Sequence, residues 1–239
     1  MFRLFCYCYP KILLIVVCIF NIVYSAPNIE ILRYHYSLAP NQWPKPEIDS
    51  NIEWQELSIL PEKNRTLSAN PNDPMWDDVE NSQIVALGAY LFTDKRVSKK
   101  QQVSCLTCHN PARSFTDGQP LAIGEDGLMG TRRSMTLFGA AGAQMFFWDG
   151  RAASLNEQVL ASITNPREMN FTIEGVLARL NNDDHKAFTT TFGKPANTEL
   201  LVRALSAYIA NLRPPTTKFD TFLLLDVCNF SAPVYESDR

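Results

Sequence analysis

Histidine, glycine and surplus positive charge are all scarce in this 239-residue chain, which has three histidines, ten glycines and 22 Lys+Arg against 25 Asp+Glu, a formal net charge of −3. Without a basic surplus there is little to hold a phosphate backbone, so nucleic acid is not an expected partner. No alternating apolar–polar run marks strands and no internal repeat marks a solenoid. No uncharged apolar run reaches the roughly 20 residues that cross a bilayer. Hydrophobic residues at 46% and charged residues at 20% exclude wholesale disorder and a fibrous fold. The length suits one large domain or two small ones, at roughly 100–200 residues per domain.

The leading apolar run, Ile12 to Val23, follows Arg3 and Lys11 and is closed by Tyr24, Ser25 and Ala26 before Pro27. That layout predicts a secretory signal over residues 1–25, cleaved after Ser25, and therefore export. An uncleaved membrane anchor is the alternative reading. The signal carries two bases and no acid, leaving 22 − 2 = 20 Lys+Arg against 25 Asp+Glu, a net charge of −5. It also carries Cys6, Cys8 and Cys18, so only Cys105, Cys108 and Cys228 remain. Three cysteines are too few for the disulfide framework of a small exported scaffold.

Residues 26–81 hold seven of the fifteen prolines, and ten acids against Arg33, Lys45, Lys63 and Arg65. Clusters such as Trp43-Pro44-Lys45-Pro46 exclude long helices and predict an extended acidic arm that wraps a core through Trp43, Trp54 and Trp76. From Ser82 the pattern turns helical, with Ile84, Val85, Leu87, Gly88, Leu91 and Phe92 at three-to-four spacing behind a Ser82 cap. Lys95 to Gln102 reads as a polar, basic turn. Seven of the ten glycines lie between Gly118 and Gly150 without a sustained period, and long ordered loops of that kind are usually functional. Ser154-Leu155-Asn156-Glu157 has the capping-box pattern. Thr172 to Asn181 and Thr198 to Leu212 predict two more amphipathic helices, the second stopped by Pro214-Pro215. The expected fold is all-α, with long irregular loops and an extended N-terminal arm.

Cys105-Leu106-Thr107-Cys108-His109 is the attachment signature of a c-type haem. Residues three apart share a helical face, so both thiols reach the two vinyl groups of one porphyrin, and His109 supplies the proximal ligand to the iron. A structural zinc needs four N/S ligands, and only Cys228, His35 and His185 remain, none in a paired spacing. A thioredoxin-like pair needs a βαβ setting that the pattern lacks. One covalent haem serves either an electron carrier, which fills the sixth iron position, or an enzyme, which leaves it open beneath acid–base groups.

Several ordered motifs carry a resemblance: Leu87-Gly88 through Leu91-Phe92, Val103 to His109, Ser114-Phe115-Thr116-Asp117-Gly118, Phe147-Trp148-Asp149-Gly150-Arg151-Ala152, Asn165-Pro166-Arg167-Glu168-Met169 and Phe219-Asp220-Thr221-Phe222-Leu223. Together they resemble the bacterial di-haem cytochrome c peroxidase family, including the methylamine-utilisation-type proteins, over the N-terminal, peroxide-reacting lobe alone. The resemblance implies a cytochrome c-like haem domain over residues 82–226 and a divergent tail over 227–239. It places Glu168 as the distal catalytic carboxylate, Gln158 as a pocket glutamine that orients peroxide, Phe147 as a pocket aromatic and Trp148 as the indole between two haems. It also implies a periplasmic peroxidase that reduces hydrogen peroxide with electrons from a small cytochrome or copper protein. Peroxide cleavage needs a proton moved from one oxygen to the other, work that suits a carboxylate whose pKa is raised by burial.

Three departures qualify the resemblance. Where many members carry a removable distal histidine, sixteen positions after the proximal one, this chain has Glu125, which predicts an already open iron site; Met129, Met135 or Met145 is the alternative sixth ligand. Arg133 stands where the family has an asparagine near its inter-domain calcium, which puts calcium binding in doubt. After Asp226 the family continues into a second haem lobe, whereas this chain runs Val227-Cys228-Asn229-Phe230 and ends at Arg239. That predicts one haem in this chain, with a separately encoded second lobe, a truncated inactive fragment, or a single-haem derivative fed by an external donor as the open outcomes, and a lone lobe is expected to self-associate. Asp149 and Arg151 read as a structural ion pair. Arg113, Arg132 and Arg133 are candidates for the haem propionates, since guanidinium binds carboxylate in bidentate fashion.

Overall fold

The prolines that crowd the N-terminal arm leave room between Pro27 and Pro40 for one short helix, and the chain uses it. The computed structural model describes residues 28–52, 75–183 and 185–224. The expected signal segment, Trp54, Cys228 and the tail lie outside the described residues, as do the side chains of Trp76 and His185. In chain order the helices are α1 (Ile29–Ser37), α2 (Met75–Glu80), α3 (Ser82–Thr93), α4 (Cys105–Cys108), α5 (Leu155–Thr164), α6 (Ile173–Asp183), α7 (His185–Phe192), α8 (Thr198–Asn211) and α9 (Lys218–Leu224). No strand occurs among the described residues. Isolated bridges join Asn110 to Thr116, Ile123 to Met129 and Phe146 to Ala152. These residues fall into two compact units, 28–52 with 217–224, and 75–216.

In the smaller unit α1 starts behind Asn28, whose side chain accepts the Glu30 N–H at 2.9 Å. Trp43 packs edge-on against Tyr36, stacks on Phe222 of α9 at 5.9 Å and donates its indole N–H to the Leu38 carbonyl at 2.9 Å. Its ring partners thus belong to this unit. That differs from the expectation of an arm extended throughout: a helix precedes the proline clusters, and residues 217–224 group with it. Thr217 and Asp220 cap α9 reciprocally, Asp220 Oδ2 accepting the Thr217 N–H at 2.7 Å and Thr217 Oγ1 the Asp220 N–H at 3.1 Å.

The larger unit is organised by α3 against α8. Leu87, Leu91 and Phe92 of α3 and Leu200, Leu201, Leu205 and Ile209 of α8 are all buried in one core. Gly88 sets their separation: a Cβ there would stand 1.9 Å from the Ala204 carbonyl oxygen, so no larger residue permits this approach. Also from α8, Arg203 grips the buried Asp78 of α2 with two hydrogen bonds of 2.7 Å. The cap of α3 is Asn81 rather than Ser82, its carboxamide oxygen accepting from Gln83 and Ile84 at 3.0 and 3.3 Å. The α5 start has the expected Ser154–Glu157 pair, except that Glu157 reaches back to the Ala153 N–H, at 2.9 Å. Asn197 caps α8, which ends at Asn211 ahead of the proline pair. Between α4 and α5 the chain has only short 3₁₀ turns, and this long irregular stretch builds most of the site.

Candidate active site

The helical turn of α4 puts Cys105 and Cys108 on one face, because positions i and i+3 lie side by side. They form no disulfide, and burial pushes the Cys105 thiol pKa up to about 12 and that of Cys108 up to about 11. His109 ends the turn, and Asn110-Pro111-Ala112-Arg113 swings the chain back. Ser114 and Phe115 then take left-handed conformations, φ 54° and 57°, a strain of about 1–3 kcal/mol at each non-glycine position. The result is local and specific: the Phe115 carbonyl lies 2.9 Å from His109 Nδ1. A carbonyl only accepts, so Nδ1 carries the proton and Nε2 keeps its lone pair for a metal. Burial lowers the His109 pKa, countered by the Phe115 and Met135 carbonyls, so the ring is held neutral, as ligation requires. The buried Phe115 ring, packed on Phe92 and Phe138, anchors the strained turn.

A cavity of about 350 Å³ opens beside these groups. Cys105, Cys108 and His109 line it, and so do Phe147, Trp148, Gln158 and Glu168. These seven residues therefore face one space. Phe147 is left-handed at φ 65° and lies under the Arg151 guanidinium, 3.4 Å from its ring centre. Asp149 ties the turn together through Arg132 at 2.7 Å and Arg151 at 2.8 Å, and these bonds hold its carboxyl at about 2. Trp148 donates its indole N–H to the Arg133 carbonyl at 2.9 Å while 55% of its surface stays exposed.

Glu168 sits four residues past the end of α5, in a turn made by Asn165 and Pro166. Asn165 donates to Glu168 Oε1 at 2.8 Å and accepts the Arg167 N–H at 3.0 Å. Burial raises the Glu168 pKa, and hydrogen bonds from Ser162 and Asn165, with the positive charge of Arg151, pull against it. Gln158, one turn before Ser162 on α5, donates its amide to the Ser162 hydroxyl at 3.0 Å. Gln158, Ser162, Asn165 and Glu168 thus form one side-chain network on the cavity wall.

The other candidates separate. Glu125 is fully buried and turned to the Lys100 N–H at 3.1 Å, outside the cavity lining. Met135 and Met145 line the cavity; Met129 does not. Arg132, Arg133 and Arg151 all line the cavity, Arg132 and Arg151 being committed to Asp149, whereas Arg113 bonds the Asp117 carbonyl outside the lining. Sequence reasoning missed the Phe115 carbonyl, Ser162 and the role of Asn165. Asn-Pro directly after a helix signals a side-chain-capped turn and could have drawn attention to Asn165. A backbone carbonyl leaves no sequence signal.

These residues fit a covalently held haem: two thiols on one helical face and a neutral imidazole bonded through Nδ1 converge on a partly open, largely apolar space. Among the described residues no group of three or more His, Cys, Asp or Glu could hold a lone metal ion. An all-helical unit with this thiol–imidazole arrangement has the makeup of a c-type cytochrome domain. A family model described as di-haem cytochrome c peroxidase matches residues 82–227, and the chain belongs to that family. Methylamine utilization protein MauG of Methylophilus methylotrophus is 32% identical over 143 residues, covering 59% of this chain and 43% of that protein. Cytochrome c551 peroxidase of Pseudomonas aeruginosa is 37% identical over 142 residues, covering 57% and 41%. Among solved structures, a MauG-like protein associated with microbial copper homeostasis superposes with a TM-score of 0.60 at 23% identity, covering 72% of this chain and 50% of that one. The diheme peroxidase BthA from Burkholderia thailandensis gives a TM-score of 0.50 at 24% identity, covering 54% and 38%; these two likenesses concern the fold. The chain spans about two-fifths of the length of the curated relatives named here.

Proposed function

We propose that the chain is a periplasmic peroxidase with one covalent haem, held by Cys105, Cys108 and His109, which reduces hydrogen peroxide: H2O2 + 2 e⁻ + 2 H⁺ → 2 H2O. The observation that carries the reading is a half-buried carboxyl, Glu168, with a raised pKa on the same cavity as the ligating imidazole. When bound, the haem supplies the electrons that break the O–O bond. Glu168 takes the proton from one peroxide oxygen and returns it to the other, leaving water. Asn165 and Ser162 fix the carboxyl, and Gln158, its amide occupied by Ser162, offers its carbonyl oxygen to orient a peroxide O–H. The Phe115 carbonyl keeps His109 in the tautomer that ligates.

Electrons enter through the face around the exposed Trp148, from a small cytochrome or copper protein, or from a second haem lobe or another copy of the chain docked there. The test mixes haem-loaded protein with stoichiometric peroxide and follows the Soret band, then adds a reduced small cytochrome. Rapid spectral change followed by oxidation of the donor is expected; a spectrum that ignores peroxide contradicts the proposal. One observation favours a second reading, an electron carrier: Met135 and Met145 also line the cavity, and a thioether in the sixth position would give a six-coordinate, low-spin iron inert to peroxide.

A further inference from the structure

Glu125 has none of the usual reasons to be a buried carboxylate. Taking a carboxylate out of water is costly unless both oxygens find donors. Here the residue is 0% exposed, only Oε1 has a partner, the Lys100 N–H at 3.1 Å, and Oε2 is buried without one. Its backbone explains what the arrangement secures: the Glu125 N–H donates to the Glu168 carbonyl at 2.7 Å. The preceding residue fits as closely. A Cβ on Gly124 would lie 2.2 Å from the Arg167 carbonyl oxygen and 2.6 Å from that of Glu168, so the loop can dock on this turn only with glycine there.

The Lys95–Gln102 turn completes the assembly. Lys99 N–H donates to the Met169 carbonyl at 3.1 Å. Arg179 of α6 holds that same turn through the carbonyls of Arg96, Ser98 and Lys99, at 3.1, 2.7 and 2.8 Å. Two consecutive carbonyls, those of Glu168 and Met169, are therefore held by two separate loops. The Glu125 side chain joins those two loops to each other from the buried side, beside the more exposed ion pair of Lys100 with Asp126.

We propose that Glu125 is a positioning residue for the proton-carrying carboxyl: by bonding the Lys100 N–H with its side chain and the Glu168 carbonyl with its backbone, it fixes the turn that aims Glu168 into the cavity. The inference rests on the peroxidase reading for its consequence, though not for its geometry. What the role requires is an acceptor of the right reach, and not a charge.

Haem-loaded full-length protein is compared as wild type, Glu125→Gln, Glu125→Asp and Glu125→Leu. Gln keeps the reach and loses the charge; Asp keeps the charge and loses the reach; Leu loses both. Amide hydrogen exchange by mass spectrometry over residues 163–171 and over α8 is read beside the rate of reaction with hydrogen peroxide. The expected result is wild-type behaviour for Gln, and for Asp and Leu a rise in exchange over 163–171 without change in α8, with the rate lower by about tenfold or more. Asp, the milder change, keeps the test decisive should Leu not fold. Gln as defective as Asp, exchange rising equally in α8, or Asp behaving as wild type would each overturn the proposal. If the wild type ignores peroxide, the peroxidase reading fails and the exchange pattern alone still decides whether Glu125 fixes the turn.

Discussion

The thiol–imidazole wall and the carboxylate wall of the cavity share one physical cause with opposite effects. Burial lowers the pKa of His109 and raises that of Glu168, since in both cases the uncharged form is favoured. On one wall this yields a neutral imidazole suited to bind a metal; on the other, an acid that holds its proton above the ordinary carboxylate range. The walls differ in construction. The first is fixed by a backbone carbonyl in a strained turn, the second by a side-chain network running from α5 into the Asn165–Pro166 turn. A strained backbone gives a fixed tautomer, whereas side-chain donors give a carboxyl whose affinity for protons can be adjusted one residue at a time.

Changes confined to one wall should separate these roles. The largest effect is expected from Cys105→Ala with Cys108→Ala: all covalently attached haem is lost, seen by haem staining after denaturing electrophoresis, while Glu168→Gln keeps it. Gly88→Ala strikes both walls together, because α3 and α8 contribute Phe92, Leu205 and Ile209 to the cavity. Overpacking there should destabilise by about 1–3 kcal/mol, measured by denaturant unfolding. Asn165→Ala acts on the carboxylate wall alone. It removes a donor that favours the charged form, so the Glu168 pKa rises further. The proposed reaction requires Glu168 deprotonated and would slow as pH falls through that pKa. The acid limb of the rate should therefore move to higher pH by roughly one unit, the equivalent of about 1.5 kcal/mol for a hydrogen bond to a charged group. Ser114→Gly is the smallest change. Relief of the left-handed strain outweighs the added unfolded-state entropy by less than about 1 kcal/mol, so the thermal midpoint rises slightly and haem attachment is unchanged.

Legibility in the sequence followed the range of the interactions. The α3 stripe from Ile84 to Phe92 and the α5 capping pair could be read because helix periodicity and caps are local. The Cys-x-x-Cys-His run could be read because its chemistry sits within five residues. The cap at Asn81 was missed by one position, since Asn and Ser stand side by side and both are good caps. The grouping of Trp43 with Phe222 was not legible, as nothing local links residues 179 positions apart. Glu125 is the sharpest case. Its position implied something about an absent histidine, but its actual contacts, the Lys100 N–H and the Glu168 carbonyl, are backbone groups that no side-chain pattern announces.

The central claim is that Glu168 carries the proton over a haem held by His109. Stopped-flow mixing of haem-loaded wild type and Glu168→Gln with hydrogen peroxide, repeated across pH, tests it most directly. The account predicts a rate about 10²–10⁴-fold lower in the variant, without the acid limb set by the raised carboxyl pKa. A variant that reacts at the wild-type rate with the same pH dependence would contradict it.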